Sequence, residues 1–295
     1  MDYIKNFTDS FKLWWNHKYL WILGIIGVVL SGTGGVSQIQ NSFKPDSPLF
    51  KNSQFDSSLV IILLIIIAII SVAIAIVSIY LTLRVESSLI QSAKLLRDKK
   101  SLDFKKAWAL GNKYLLKLFV NSLLISLPIF LILFILVILI IVGALSLATP
   151  LLAIPLFLIA FLIFLIMMAY ILFAALIRPI SERFIVLEGK ENVEALKLTL
   201  SFIKSNLGSL FMIWLILIGV NIIISVVSLP LSLMFAAITL PAIALVALNP
   251  IIGIIGFIVT QLIVSLLSSL IGGPQLALTS IYWTNSFLEI KQEKK

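Results

Sequence analysis

The ionisable side chains of this chain limit the chemistry that it could perform. The sequence contains one histidine, His17, and no cysteine, so it offers no histidine or thiolate cluster for a metal ion and no cysteine nucleophile. It also lacks the H-E-x-x-H pattern and the glycine-rich nucleotide loop, and a single histidine leaves no Ser/His/Asp set. We therefore expect no catalytic residue, no metal and no cofactor.

Two long runs, 118–177 and 205–288, contain no Asp, Glu, Lys, Arg or His. Membrane enzymes and proton-coupled transporters usually carry ionisable residues inside their spans. The runs therefore argue against proton relays and intramembrane protease chemistry. An enzyme built on this chain would have to act at the membrane surface, for example through Glu86 and Glu182.

Arginines stand where two apolar runs end. Arg84 precedes Glu86 at one end, and Arg178 and Arg183 flank Glu182 at the other. Because arginine pairs with phosphate in bidentate geometry, these residues could form a lipid-headgroup pocket. Arginines that snorkel from helix ends give the same pattern, and they are the more common case. The sequence leaves both interpretations open.

The segment 84–117 holds nine basic residues and three acids between two apolar runs. Lys and Arg accumulate on the cytoplasmic side of membrane proteins, so we expect this segment to lie at the cytoplasmic membrane surface. Tryptophan favours the same depth. The residues predicted to contact lipid headgroups are Arg84, Lys105, Lys106, Trp108, Lys113, Arg178 and Arg183.

Four amide side chains are the strongest polar groups predicted to lie within the spans: Asn121, Asn221, Gln261 and Gln275. Amides in membrane helices usually form hydrogen bonds that hold helices together. A path for an uncharged solute is the alternative interpretation.

Composition sets the class of the protein. The chain is 61% hydrophobic and 12% charged, with a mean hydropathy of +1.16. About 20 apolar residues cross a bilayer, and several runs exceed that length. We predict an all-α, polytopic transmembrane helical bundle with spans near 19–39, 59–83, 115–142, 151–177, 207–229 and 251–272. The piece 230–250 is either a re-entrant turn or an extension of the fifth span.

Amphipathic helices are expected to precede the odd-numbered spans. The first covers 2–16, with Tyr3, Ile4, Phe7, Phe11, Trp14 and Trp15 on one face, and Lys5, Asn6, Asp9, Ser10 and Lys12 on the other. The second is expected to begin with Ser101 as its N-cap and the third with Asn192. A secretory signal peptide is the alternative for the N-terminus, but two acids and the lack of an A-x-A site argue against it.

The charge distribution predicts the topology. The segments 1–18, 84–117, 178–206 and 289–295 contain 20 of the 22 Lys and Arg residues, and only Lys44 and Lys51, in the polar loop 40–58, lie outside them. Six spans with both termini in the cytoplasm satisfy this distribution. The net charge of +9 is then a consequence of topology, so no nucleic acid is expected.

The chain also repeats. Asn16–Leu20 (NHKYL) returns as GNKYL at 111–115, and Arg178-Pro179 precedes Gly273-Pro274 by 95 residues. Asn121 with SLP at 126–128 resembles Asn221 with SLP at 228–230. We predict one membrane domain, 1–295, of three parallel two-span copies at 1–100, 101–190 and 191–295.

The segments FKLWWNHKYLWILGIIG (11–27) and ISERFIVLEGKENVEALKLTLSFIKSNLGSLF (180–211) resemble a diffuse group of bacterial and archaeal six-span membrane proteins. The group includes the membrane domain attached to some glycerophosphodiester phosphodiesterases. The resemblance implies a membrane-embedded, lipid-adjacent protein. The catalytic phosphodiesterase domain has no counterpart here, so no active-site residue follows from the resemblance.

These observations lead to three hypotheses of function. The first is a non-enzymatic protein of the prokaryotic cytoplasmic membrane that binds anionic inner-leaflet lipids, with a membrane-organising or accessory role and with a protein partner or a second copy as a further possible contact. The second is a transporter or channel for an uncharged or lipid-like solute. The third is an interfacial lipid-modifying enzyme.

Overall fold

The computed structural model describes residues 2–30, 57–145, 150–248 and 250–293, and this part of the chain is helical without a β-strand. The all-α prediction is thereby confirmed. The helices are α1 (Tyr3–Asn16), α2 (Tyr19–Leu30), α3 (Ser57–Arg97), α4 (Phe104–Leu110), α5 (Leu115–Leu145), α6 (Pro150–Glu188), α7 (Asn192–Ser205), α8 (Leu207–Leu248) and α9 (Pro250–Gln292). A 3-10 turn, Gly111–Tyr114, joins α4 to α5.

Within the described residues, five helical segments are long and apolar enough to cross a membrane: Val72–Arg97, Phe104–Leu145, Ile154–Glu188, Leu207–Thr239 and Leu262–Gln292. The chain is thus a multi-pass membrane protein. Of the predicted first span, 19–39, only the short apolar helix α2 is described. The rest of that span, including the GTGG at 32–35, and loop residues 40–56 lie outside the described residues.

Helices α6, α8 and α9 continue past the predicted span ends. Helix α8 runs unbroken to Leu248 through Pro230 and Pro241, so residues 230–248 extend the fifth span instead of turning back. Proline removes a backbone N–H from the helix, and membrane helices tolerate this because neighbouring groups satisfy the freed carbonyl.

Two predicted N-caps are wrong. Helix α4 is capped by Asp103, whose Oδ1 accepts a hydrogen bond from the Lys106 N–H at 3.0 Å, and not by Ser101. Residue Glu191 precedes α7 without a side-chain cap, and Asn192 is the first helical residue. The residues at both N-cap positions, Asp103 and Glu191, are acidic, and negative charge is favourable at a helix N-terminus.

The chain forms two compact units. The first, here called the N-terminal unit, comprises 2–113 and 212–286. Its apolar core is formed by residues of α2, α3, α4 and α9: Leu20, Leu23, Val85, Leu89, Ala93, Leu96, Ala107, Ala277 and Ile281. A Cβ on Gly24 would lie 1.9 Å from the Gly273 carbonyl oxygen, so glycine is required for α2 and α9 to approach this closely.

The second, the central unit, comprises 114–211 and 287–295. Helices α5 and α6 run antiparallel, because Asn121 bonds to Ser181 while Ile125, further along α5, bonds to the earlier Tyr170. Three phenylalanines pack against one another where α6, α7 and the end of α9 meet: Phe184, Phe202 and Phe287, with ring centroids 5.0 to 5.9 Å apart.

Burial is concentrated at the polar ends of the long helices and not along their apolar shafts. The most apolar windows of the α4–α5 segment and of α6 are each only 6% buried. In contrast, residues 180–186 of α6 and 281–287 of α9 are all buried. An apolar shaft exposed over this length needs lipid as its solvent, whereas the buried ends hold each unit together by side-chain packing.

Candidate functional site

The strongest candidate surface is the turn between α3 and α4. Helix α3 ends in a left-handed cap, in which the Lys99 N–H bonds to the Leu96 carbonyl and the Lys100 N–H bonds to the Leu95 carbonyl. Lys99 occupies the left-handed position with φ of 58°. This conformation favours glycine and costs another residue about 1 kcal/mol. A lysine is therefore held at a position where backbone preference alone would select glycine.

Four exposed lysines surround this turn: Lys99, Lys100, Lys105 and Lys106, here called the basic turn. Their amino groups form no ion pair with a carboxylate in the described part of the chain. The same segment contains two acids, Asp98 and Asp103, so the basic turn keeps a net positive charge that attracts an anionic surface or ligand. Lys113, also predicted to contact headgroups, is exposed at the far end of the 3-10 turn.

Helix α4 is held tightly against α3, which fixes the position of the basic turn. Ala107 is fully buried. A Cβ on Gly111 would lie 2.3 Å from the Ser88 Oγ and 2.5 Å from the Arg84 carbonyl oxygen, so the backbones nearly touch. Gln91 adds a hydrogen bond of 2.9 Å to the Leu110 carbonyl.

Arg84, predicted to bind a headgroup, packs against α4. Its guanidinium carbon lies 4.2 Å from the centroid of the Trp108 ring, and its Nε donates to the Trp108 carbonyl at 3.2 Å. A further hydrogen bond of 3.4 Å joins it to the Tyr80 hydroxyl. Arg84 and Trp108 therefore position the basic turn, with the cation on the aromatic face.

Arg178 and Arg183, at the end of α6, face protein groups. The Arg178 Nε donates to the Glu182 carboxylate at 2.9 Å. Arg183 is only 3% exposed, donates to the Pro179 carbonyl at 2.5 Å and lies 3.8 Å from the other Glu182 oxygen. A buried guanidinium needs such partners to offset its lost hydration. The structure thus places Arg183 inside the central unit and not on a lipid-facing surface.

Further ion pairs follow in the same unit. Lys117 pairs with Glu191 at 2.7 Å, and Lys190 pairs with Glu194 at 2.5 Å. The hydrogen bond to Glu194 raises the pKa of the Lys190 ammonium. Lys291 pairs with Glu188, 103 residues away in the sequence. Most of the described basic residues of the central unit thus form ion pairs within the protein.

The amides of the proposed solute path form interhelical hydrogen bonds. The buried Asn121 donates to the Ser181 Oγ at 2.9 Å, joining α5 to α6. Asn221 accepts from the Gln275 side chain at 2.5 Å, joining α8 to α9. The side chain of Gln261 lies outside the described residues. This arrangement is typical of amides that join membrane helices.

Helix α1 is amphipathic as predicted, but the solvent-facing position predicted for Asn6 and Ser10 is wrong. The Asn6 amide donates to the Ser286 Oγ at 3.3 Å, and the Asn285 amide donates to the Ser10 Oγ at 2.9 Å. Because these small side chains dock α1 on α9, part of its apolar face points outward. The sequence did indicate this contact, because Asn6 and Ser10 are small and uncharged and stand among the charged residues Lys5, Asp9 and Lys12.

Sequence reasoning did not identify the aromatic cluster at the corner between α1 and α2. Phe11 packs against Trp14 and Trp15, and both of these pack against Trp21, with ring centroids 4.7 to 6.1 Å apart. The Lys18 ammonium lies over the rings of Trp15 and Trp21. Ile4 is 77% exposed and Trp15 51% exposed on this helix. Exposed aromatics beside a cation are typical of a membrane surface.

The chain matches no protein-family model, no curated protein and no solved structure.

Proposed function

We propose that this protein is a non-enzymatic, multi-pass membrane protein that binds anionic lipids through its basic turn and organises them or serves a partner protein. One observation supports the proposal most strongly. Four exposed lysines, which form no ion pair with a carboxylate among the described residues, lie on a turn that is held in place by the packing of α4 against α3. Each lysine beside an anionic membrane contributes about 1 kcal/mol of attraction. The charge-free apolar runs of the sequence support a role without chemistry inside the membrane.

The proposed location is the cytoplasmic membrane of a prokaryote, with both termini in the cytoplasm. The concentration of 20 of the 22 Lys and Arg residues in four segments supports this orientation. The resemblance to six-span bacterial and archaeal membrane proteins supports the type of organism and a lipid-adjacent role.

We also propose that the chain consists of three related two-helix copies. Interhelical contacts at corresponding places support the repeat. A Cβ on Gly27 would lie 3.0 Å from the Val85 Cγ1, Asn121 bonds to Ser181, and Asn221 bonds to Gln275. Successive contacts lie 94 to 100 residues apart in the sequence. In each copy, the two helices would then be joined at the corresponding position along their length, by a small residue or by an amide hydrogen bond.

The test is charge reversal of the basic turn. In nanodiscs of mixed phosphatidylglycerol and phosphatidylcholine, native mass spectrometry should show that Lys105→Glu/Lys106→Glu retains anionic lipid at least about tenfold more weakly, since two attractive charges become repulsive. The matched control is Lys197→Glu/Lys204→Glu on α7, which reverses the same number of exposed lysines outside the basic turn. The control should retain most of the lipid. Equal losses in the two variants would refute the assignment to the basic turn.

A further inference from the structure

The corner between α1 and α2 contains a lysine held between two indole rings. The Lys18 ammonium lies 3.7 Å from the Trp15 ring centroid and 4.0 Å from that of Trp21. The two rings meet edge to face at 5.6 Å, and Trp14 stacks on Trp21 at 4.7 Å. Contact with two aromatic faces holds the ammonium in one place.

Hydrogen bonds fix the rings that carry this lysine. The Trp14 Nε1–H donates to the Pro274 carbonyl of α9 at 2.7 Å, and the Trp21 Nε1–H donates to the Trp14 carbonyl at 3.0 Å. Both indole donors are therefore used within the protein. The side chains of this corner are therefore held in fixed positions, so little conformational entropy would be lost when a ligand binds.

Two polar side chains at this corner, Lys18 and Trp15, are donors. Lys18 makes aromatic contacts but has no carboxylate or hydrogen-bond acceptor among the described residues, and its ammonium carries three donors. The half-exposed Trp15 has an indole N–H without an acceptor in the same part of the chain. A cationic ligand is disfavoured, since Lys18 already occupies the ring faces. The two donors therefore suit an anionic ligand.

We infer that Lys18 and Trp15 bind a phosphate group, supplied by a phospholipid headgroup. The ammonium would form a charge-assisted hydrogen bond to one phosphate oxygen, and the indole N–H would bond to another. The exposed Phe11 and Ile4 on the same helix favour a lipid over inorganic phosphate, because acyl chains can cover them. This site rests on the proposed membrane association and uses none of the lysines of the basic turn.

The test uses the full chain labelled with 5-fluorotryptophan in zwitterionic detergent micelles and observed by 19F NMR. Short-chain phosphatidylglycerol should shift the Trp15 and Trp21 signals saturably, with Trp15→Phe identifying the first. Lys18→Gln should weaken this binding about fivefold, as expected for one lysine at an anionic surface. Lys12→Gln is the matched control, because Lys12 is an exposed lysine of α1 that lies 4.0 Å from Asp9, and it should leave the affinity unchanged.

Other outcomes are equally decisive. Unchanged affinity in Lys18→Gln, with the Trp214 signal reporting an intact fold, would overturn the site. Inorganic phosphate producing the same shifts with the same dependence on Lys18 would overturn its assignment to a lipid. The basic turn is tested separately, since Lys105→Glu/Lys106→Glu should leave the Trp15 response intact. Loss of lipid in Lys105→Glu/Lys106→Glu, together with unchanged affinity in Lys18→Gln, would support the proposed function and refute this site.

Discussion

The ends of α3 and α6 make an instructive comparison because their sequences are built alike. Each has an arginine at the end of an apolar run, a left-handed residue after the helix and then an amphipathic helix with lysines. At the end of α3 the left-handed residue is Lys99, with φ of 58°, and at the end of α6 it is Gly189, with φ of 73°. The first end leaves its lysines exposed, whereas the second pairs most of its cations with carboxylates.

The difference lies in the supply of carboxylates. Among the described residues, the N-terminal unit carries eleven Lys and Arg against five Asp and Glu, and the central unit carries seven against six. In the central unit, each acid can neutralise a cation and the basic segment becomes part of the packed structure. In the N-terminal unit, cations outnumber carboxylates, and the lysines of the basic turn form no ion pair among the described residues. Two similar basic segments can thus have different roles, one structural and one available for binding.

Replacing each of the two arginines in turn should produce the largest difference in stability. Arg183→Met should lower the free energy of unfolding by about 3 kcal/mol, because Glu182 stays buried with one partner fewer. Arg84→Met should cost about 1 kcal/mol, the contribution of a partly exposed cation–aromatic contact and a hydrogen bond. Unfolding of both variants in mixed micelles would measure this difference. Equal losses would show that the two arginines are structurally equivalent.

Exchanging the left-handed residues should give effects of opposite sign. Gly189→Ala should destabilise the protein by about 1 kcal/mol, because a side chain is disfavoured at that φ although nothing lies within 4 Å of the new Cβ. Lys99→Gly should stabilise it by about 0.5 kcal/mol, the relieved strain being partly offset by a more flexible unfolded chain. Thermal unfolding checks both changes. The same lipid-retention assay should show weaker binding by Lys99→Gly, and a destabilised Lys99→Gly would contradict the argument.

The smallest expected effects concern single lysines. Lys117→Gln should reduce stability by a few tenths of a kcal/mol, because its pair with the exposed Glu191 is screened by solvent. Lys106→Gln should leave stability unchanged and reduce anionic-lipid retention. A double-mutant cycle with Glu191→Gln isolates the energy of the first pair. Lipid retention that falls equally in both single variants would remove the distinction between paired and unpaired lysines.

Much of the fold was accessible from residue patterns. The periodic aromatics of 2–16 predicted α1, and the long apolar runs predicted the helices that can cross a membrane. The predicted face of Asn6 and Ser10 was wrong because their partners, Ser286 and Asn285, lie about 280 residues away. The cap at Asp103 was missed because Ser101 and Asp103 are both good caps, and local sequence did not distinguish them.

The sequence by itself determined the membrane class and the helical architecture, because hydropathy and helical periodicity are local properties that add along the chain. The tertiary structure decided which charges are available. Arg84 and Arg183 are the same residue type in similar segments, yet Arg84 lies partly exposed over the Trp108 ring and Arg183 is buried beside Glu182. The pairs Lys117–Glu191 and Lys291–Glu188 join residues 74 and 103 positions apart. Such pairing depends on how distant helices pack, so no local pattern could reveal it.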